Sequence, residues 1–370
     1  MTMADGRKRL AELADWYRDR PLDRDLEARV LSELGLSLAA RYGGQTLKNP
    51  LLVAPGQLTL TLSQVQAIRK AGYAGCVLKS VVGESPDGAC SMARQRIKPT
   101  SVRTYYEPED TAGAFPIIHW DGRLDIRGLD EYLDFAGAAA AEDSYGSFSV
   151  VASLLCHLPR PGEDFRADEW SHTAGRLGQL GYRHLEIDFC PFLSSDRYTE
   201  DQANILRWYR SVPALVKRAG PSLRVFPKLL NLDWGIDYQV QMARAAVEGG
   251  ADGLVVANRG YRPEFASGHG GPGLRRLNLE QVRRIKREFP GLPVSATGGV
   301  YRGRDVLEYL EAGAENVQLL SYLMGRVKAP FRRGTGNRLE KVLYQLIFDP
   351  DDGLLAVWLD GPKRAGGMTK

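Results

Sequence analysis

The chain has 370 residues, 44% of them hydrophobic and 25% charged, with a formal net charge of +4. That composition supports a globular core large enough to enclose a ligand. The small charge, carried by Arg and Lys interspersed with Asp and Glu, excludes the basic block of a nucleic-acid binder, and apolar runs far below the ~18–20 residues of a membrane span leave no membrane partner.

The four cysteines, Cys76, Cys90, Cys156 and Cys190, contain no C-x-x-C pair and have no accompanying His pair. Neither a metal site nor a disulfide framework is expected. The segment from Met1 to Asp25 is polar and lacks an apolar signal region, so a cytoplasmic protein is expected.

Residues 1–40 read as a helical extension. Leu10, Leu13, Trp16 and Tyr17, then Leu26, Val30, Leu31 and Leu34, recur near helical spacing over 7–36, with Pro21 between the two groups. From residue 51 onward short apolar runs alternate with helical patterns. The runs are LLVAP (51–55), CVLK (76–79), FSVVASLL (148–155), HLEID (184–188), RVFPKLL (224–230), GLVVA (253–257), PVSAT (293–297) and NVQLL (316–320). Eight near-continuous apolar strands separated by amphipathic helices predict a parallel α/β sheet, and eight units predict a closed single (β/α)8 TIM barrel over 41–330. Ser63 is the expected N-cap of the first barrel helix, which Gly72 ends. Further helices are expected over 128–141, 200–219 and 304–312, and one capped by Asn278. Residues 331–370 are expected to add a helix and one strand outside the barrel.

The connection between the second and third strands is far too long for a barrel loop. Its part at 80–127 carries Arg94, Arg96, Arg103, Tyr105, Tyr106, His119 and Trp120. Long insertions on the strand-end face of a barrel usually serve function, so a lid or substrate wall is expected.

Strand ends carry a barrel's chemistry. The first ends in Ala54-Pro55-Gly56, small enough for a flat ring to approach the backbone. The second ends in Lys79-Ser80 and the fifth in Lys228, cations that are costly at a buried strand mouth without an anionic partner. The seventh ends in Thr297-Gly298-Gly299 and the eighth in Leu320-Ser321, together suited to a phosphate. The set points to flavin mononucleotide (FMN), with Ala54, Gly56, Lys79, Ser80, Lys228, Gly298, Gly299 and Ser321 on the cofactor.

In combination these motifs resemble the dihydroorotate dehydrogenase family over residues 40–330. The matches are the opening strand Lys48 to Gly56, the class 1 Lys79-Ser80, the flavin lysine Lys228, Asn258 after strand six, Thr297-Gly298-Gly299, and Gln318 to Ser321. The resemblance implies an FMN-dependent oxidoreductase acting on CH–CH groups, with hydride transfer at flavin N5, and a homodimer. In class 1 members the cysteine of a Ser-Cys-Pro-Asn segment is the base, which implies Cys190 as acid/base. This chain departs from the family around that residue: Phe192 follows Cys190-Pro191, Ile187 or Glu186 replaces an asparagine, and Arg259 replaces a serine. A pocket stripped of those asparagines implies a different substrate, small, cyclic and anionic. Asn258, Arg259, His157 and Arg197 are the expected substrate contacts. The alternatives are a genuine dihydroorotate dehydrogenase with a remodelled pocket and a non-redox barrel that binds a phosphate ligand. The sequence names neither the substrate nor the electron acceptor.

Overall fold

The computed structural model describes residues 2–22, 25–96, 102–105, 115–120, 124–144, 147–190, 201–262, 267–326 and 331–361. All eight apolar runs form strands: β1 Leu51–Val53, β2 Gly75–Val77, β3 Ser149–Leu155, β4 His184–Ile187, β5 Arg224–Pro227, β6 Leu254–Val256, β7 Val294–Thr297 and β8 Asn316–Leu319. They pair in parallel, β1 with β2, β2 with β3, β3 with β4 and β4 with β5 on one side. On the other side β1 pairs with β8, β8 with β7 and β7 with β6. A parallel bridge between Lys228 and Val255 joins β5 to β6 and closes the ring. Every strand is buried on both faces except at its ends, which is why the runs are continuous rather than alternating.

The N-terminal helices are α1 (Met3–Tyr17) and α2 (Asp25–Leu34), separated at Pro21 as expected. The barrel helices are α3 (Leu62–Ala71), α4 (Leu129–Ala140), α5 (Ala167–Gln179), α6 (Gln202–Ala219), α7 (Ile236–Glu248), α8 (Leu274–Glu288) and α9 (Gly303–Glu311). Two helix starts and one terminal element differ from expectation. The cap of α3 is Thr61, whose side chain accepts from Gln64 N–H while Gln64 reaches back to the cap, a reciprocal pairing that Ser63, two residues further in, does not make. Gly72 ends that helix at φ 102°, a conformation glycine adopts without strain. Helix α8 starts four residues before Asn278, which is wholly buried and ties the helix to the barrel: its Nδ2 donates to Thr297 O at 2.7 Å. After a short helix, α10 (Ser321–Met324), the C-terminal segment forms two helices, α11 (Arg338–Phe348) and α12 (Leu354–Asp360). The strand expected there is absent among the described residues. The short run Leu354 to Trp358 cannot be assigned by periodicity alone, and it is helical because it packs on α9, α1 and α11.

Part of the long insertion forms strands. Val102–Tyr105 and Ile117–Trp120 pair antiparallel, and the second strand pairs with Ser267–Gly270, which pairs in turn with Gly260–Arg262. This four-stranded sheet combines the connection after β2 with the connection after β6. Trp120 fastens it to the connection after β1 by donating from Nε1 to Gln57 Oε1 at 3.0 Å.

At the opposite end of the barrel a hairpin, Ala40–Tyr42 with Gln45–Leu47, plugs the interior. Tyr42 and Leu47 pack with Leu52, Val151, Phe226 and Val255 from the strands. No helix is long and apolar enough to cross a membrane among the described residues.

The terminal helices share the barrel's apolar cluster. Leu10, Leu13 and Tyr17 of α1 join Leu343, Ile347 and Leu354 in it, and Tyr344 Oη donates to Ala14 O at 2.8 Å. The contact is closest at Gly303, where an added Cβ would collide with Leu354 N and Leu346 O, backbone atoms that cannot rotate away. Gly303→Ala is therefore expected to destabilise the protein by about 1–3 kcal/mol, read as a lowered thermal midpoint with unchanged far-ultraviolet dichroism below the transition.

Candidate functional site

The carboxyl ends of the barrel strands border a cleft of about 870 Å³ that opens to solvent. Ala54 and Gly56 line it after β1, Lys79 and Ser80 after β2, Lys228 after β5, Gly298 and Gly299 after β7, and Ser321 where α10 begins. Asn258 and Arg259 line it after β6, and Trp120 and Gly270 of the antiparallel sheet complete the wall.

Lys228 is held by its backbone, its N–H donating to Ile187 O at 2.9 Å and its carbonyl accepting from Tyr209 Oη at 3.0 Å. Its side chain is 8% exposed, and Nζ stands 3.5 Å from Glu186 Oε2, beyond a normal hydrogen bond between charged groups. Glu186, wholly buried inside the barrel, accepts from Tyr42 Oη at 2.8 Å and from Gln318 Nε2. Gln318 Nε2 also donates to Ser295 Oγ at 2.9 Å. Gln318 Oε1, buried in a residue that lines the cleft, has no hydrogen-bond partner. A lysine with unused donors and an unpartnered amide oxygen side by side offer both polarities to a bound group.

Toward β7 the backbone turns at two residues of positive φ, 98° at Gly298 and 69° at Gly299. A Cβ on Gly298 would strike Asn278 Nδ2, and one on Gly299 would fall 2.6 Å from Arg275 N. Tyr309 Oη donates to Gly298 O at 2.8 Å, which turns that carbonyl toward α9. Across the cleft, a Cβ on Gly270 would lie 2.5 Å from Ser321 Oγ and 3.0 Å from the Trp120 ring. Gly298 and Gly299 are thus confined by α8, and Gly270 by Ser321 and Trp120.

On the opposite wall stands Asp188, which sequence comparison at Cys190 had passed over in favour of Ile187 or Glu186. Ile187 and Glu186 lie within the strand, and Asp188 is the first residue beyond it that lines the cleft. Its Oδ1 accepts from Asn258 Nδ2 at 2.9 Å, and its Oδ2 lies 3.5 Å from Ser80 Oγ, which also bonds Ser153 Oγ at 2.8 Å. Asn258 Nδ2 donates as well to Phe189 O at 3.0 Å, and Asn258 Oδ1 accepts from Arg259 N at 2.8 Å. Both amide hydrogens of Asn258 therefore serve the protein. Asp188 was legible only as a polar residue where an apolar strand ends; Gln57 gave no comparable signal, whereas Trp120 belongs to the insertion expected as a substrate wall.

Cys190 is buried beside this network among Val82, Met92, Leu124 and Leu155, with Arg259 Nη2 at 3.7 Å from Sγ. Burial pushes its thiol above the usual range, and the Asp188 charge adds to that; Arg259 and Lys79 act in the opposite direction. Lys79 is pushed down to about 8, first by removal from water and then by Arg259.

His157 does not line the cleft; its Nε2 lies 3.1 Å from both carboxylate oxygens of Glu163. Arg197, Pro191 and Phe192 fall outside the described residues. No group of three or more His, Cys, Asp or Glu that could hold a metal occurs among the described residues.

A family model described as dihydroorotate dehydrogenase matches residues 248–330, which span β6, the Gly298-Gly299 turn and β8. The catalytic subunit of dihydroorotate dehydrogenase B (NAD(+)) of Methanocaldococcus jannaschii is 27% identical over 289 residues, 75% of this chain and 84% of its own. Dihydroorotate dehydrogenase A (fumarate) of Lactiplantibacillus plantarum is 26% identical over 299 residues, 76% of this chain and 86% of its own. A Pediococcus pentosaceus chain named for the same fumarate-type enzyme is 35% identical over 217 residues, 55% of this chain and 66% of its own. With the closed parallel barrel, these matches make the chain similar to the dihydroorotate dehydrogenase family.

Proposed function

We propose that the cleft holds FMN and that the chain is an oxidoreductase interconverting C–C and C=C bonds in a small, cyclic, anionic substrate other than dihydroorotate. The observation that carries this reading is the convergence of all eight expected cofactor residues on one cleft, beside a buried lysine with unused donors and an unpartnered Gln318 Oε1.

In this reading Gly298, Gly299 and Ser321 hold the phosphate through N–H and hydroxyl donors. Ala54 and Gly56 leave room for the ring. Lys228 and Lys79 place positive charge where negative charge grows on an electron-accepting ring. When bound, FMN supplies two-electron hydride exchange at N5. Cys190 exchanges a proton with the substrate carbon next to the one that exchanges hydride. Removal of one hydride and one proton from adjacent carbons leaves a double bond, and the balance closes on the cofactor and the thiol.

The change of substrate rests on Asp188. A carboxylate accepts hydrogen bonds and donates none, and Asn258 has both amide hydrogens engaged. A substrate carbonyl turned toward this wall meets repulsion; a substrate N–H or O–H is received. The electron acceptor and a dimer, both expected from the family, stay as proposals with this function.

The purified protein is expected to show an oxidised-flavin spectrum, to release FMN on denaturation, and to keep its colour when dihydroorotate is added without oxygen. A colourless protein that FMN cannot reconstitute would mean that the cleft serves another phosphate ligand, and bleaching by dihydroorotate would restore the remodelled-pocket alternative. Cys190→Ser should retain full FMN content while flavin reduction by the true substrate slows by about 10²-fold or more; undiminished reduction would remove Cys190 from the reaction. Because Lys79 loses its charge as pH rises through about 8, FMN affinity measured by fluorescence quenching should fall through that range. Lys79→Arg should move the fall to higher pH, and a limb that ignores the substitution would place Lys79 away from the cofactor.

A further inference from the structure

Arg259 is one of the expected substrate contacts and lines the cleft, yet its guanidinium is directed at Cys190. Nη2 lies 3.7 Å from Cys190 Sγ, within hydrogen-bonding range for sulfur. Three features fix that orientation. The Arg259 backbone N–H donates to Asn258 Oδ1 at 2.8 Å. The guanidinium carbon lies 5.5 Å from the centroid of the Trp120 ring, and so within cation–π range. Gly268 flanks it on the antiparallel sheet, where a Cβ would press to 3.3 Å from the guanidinium carbon and Nε.

The other residues around Cys190 cannot take this part. Val82, Met92, Leu124 and Leu155 are apolar. The charged groups that act on the thiol among the described residues are Arg259 from the end of β6, Lys79 from the end of β2 and Asp188 from the end of β4. Asp188 opposes thiolate formation. Lys79 favours it but sheds its own proton near pH 8, partly because Arg259 is close. An arginine stays charged throughout this range, and its bond to sulfur strengthens when the sulfur is ionised.

We propose that Arg259 is the permanent counter-cation of the Cys190 thiolate, a positioning residue for proton transfer rather than a clamp on a substrate carboxylate. This rests on Cys190 being the acid/base of the reaction proposed above, and it assigns a role to one of the positions at which this chain departs from the family it resembles.

The test is a pH titration of thiolate ultraviolet absorbance in the full chain, taken as the difference from the Cys190→Ala variant, which isolates this thiol without need of substrate. Arg259→Gln should raise the midpoint by about one pH unit, a roughly tenfold loss of thiolate at a fixed pH below it. Arg259→Lys should recover part of the shift, and the ascending limb of kcat should move with the midpoint in both variants. An unmoved midpoint in Arg259→Gln overturns the proposal, and a rise in KM alone in that variant would return the arginine to the substrate. If Cys190→Ala reduces its flavin at full rate while Arg259→Gln still moves the midpoint, the positioning role is overturned together with the acid/base reading, and only a structural ion pair is left.

Discussion

A carboxylate enclosed in a barrel must be matched from inside the barrel. Glu186 points inward from β4 with no access to water, and leaving it unpaired would cost several kcal/mol. Its partners come from three places far apart in the chain: Tyr42 from the hairpin that plugs the barrel, Gln318 from β8 and Lys228 from the end of β5. The same contacts decide what the cleft offers. Gln318 spends its amide hydrogens on Glu186 and Ser295 and so presents a bare oxygen. Lys228 is drawn to Glu186 but not fully satisfied by it. The polarity of the cleft floor therefore follows from one buried acid, and a sheet closed into a ring is what brings these residues together.

The sequence made the barrel legible because a strand covered on both faces has to be apolar throughout, and eight such runs leave few ways to arrange them. It made most of the cleft lining legible because cations and paired glycines at the ends of apolar strands have few structural uses. The antiparallel sheet over the mouth was not legible. Ser267-Gly268-His269-Gly270 carries no strand pattern, and its partner, Ile117–Trp120, belongs to a connection read as a loop. Asp188 was missed for a geometric reason. Counting back from Cys190 assumes a fixed spacing, and a one-residue change of spacing near the end of a strand exchanges a residue that faces the core for one that faces the ligand. Asparagine favours helix caps, but here burial and the Thr297 carbonyl at the end of β7 outweigh that preference.

The mouth gathers Lys79, Arg259, Asp188 and Cys190 in little space, and their charges do not cancel pairwise. Arg259 depresses Lys79, while Asp188 supports Lys79 and opposes the thiolate. A ligand entering this set changes every member's protonation at once, so their titrations belong to the group rather than to single residues. Asn258 keeps the set in place by binding Asp188 and the backbone of Phe189 and by accepting from Arg259 N–H.

The sheet over the mouth also bears on the order in which the molecule is assembled. Its central pairing joins segments that are 148 residues apart where His119 meets Ser267. Contacts of such separation form late, because the entropy of closing the intervening chain is recovered only when the barrel already holds both ends. The barrel and its plug can thus be complete while the cleft still lacks a wall. A ligand that spanned the barrel mouth and the sheet would contribute its binding free energy to that last step alone, and would raise resistance to local unfolding chiefly at the mouth.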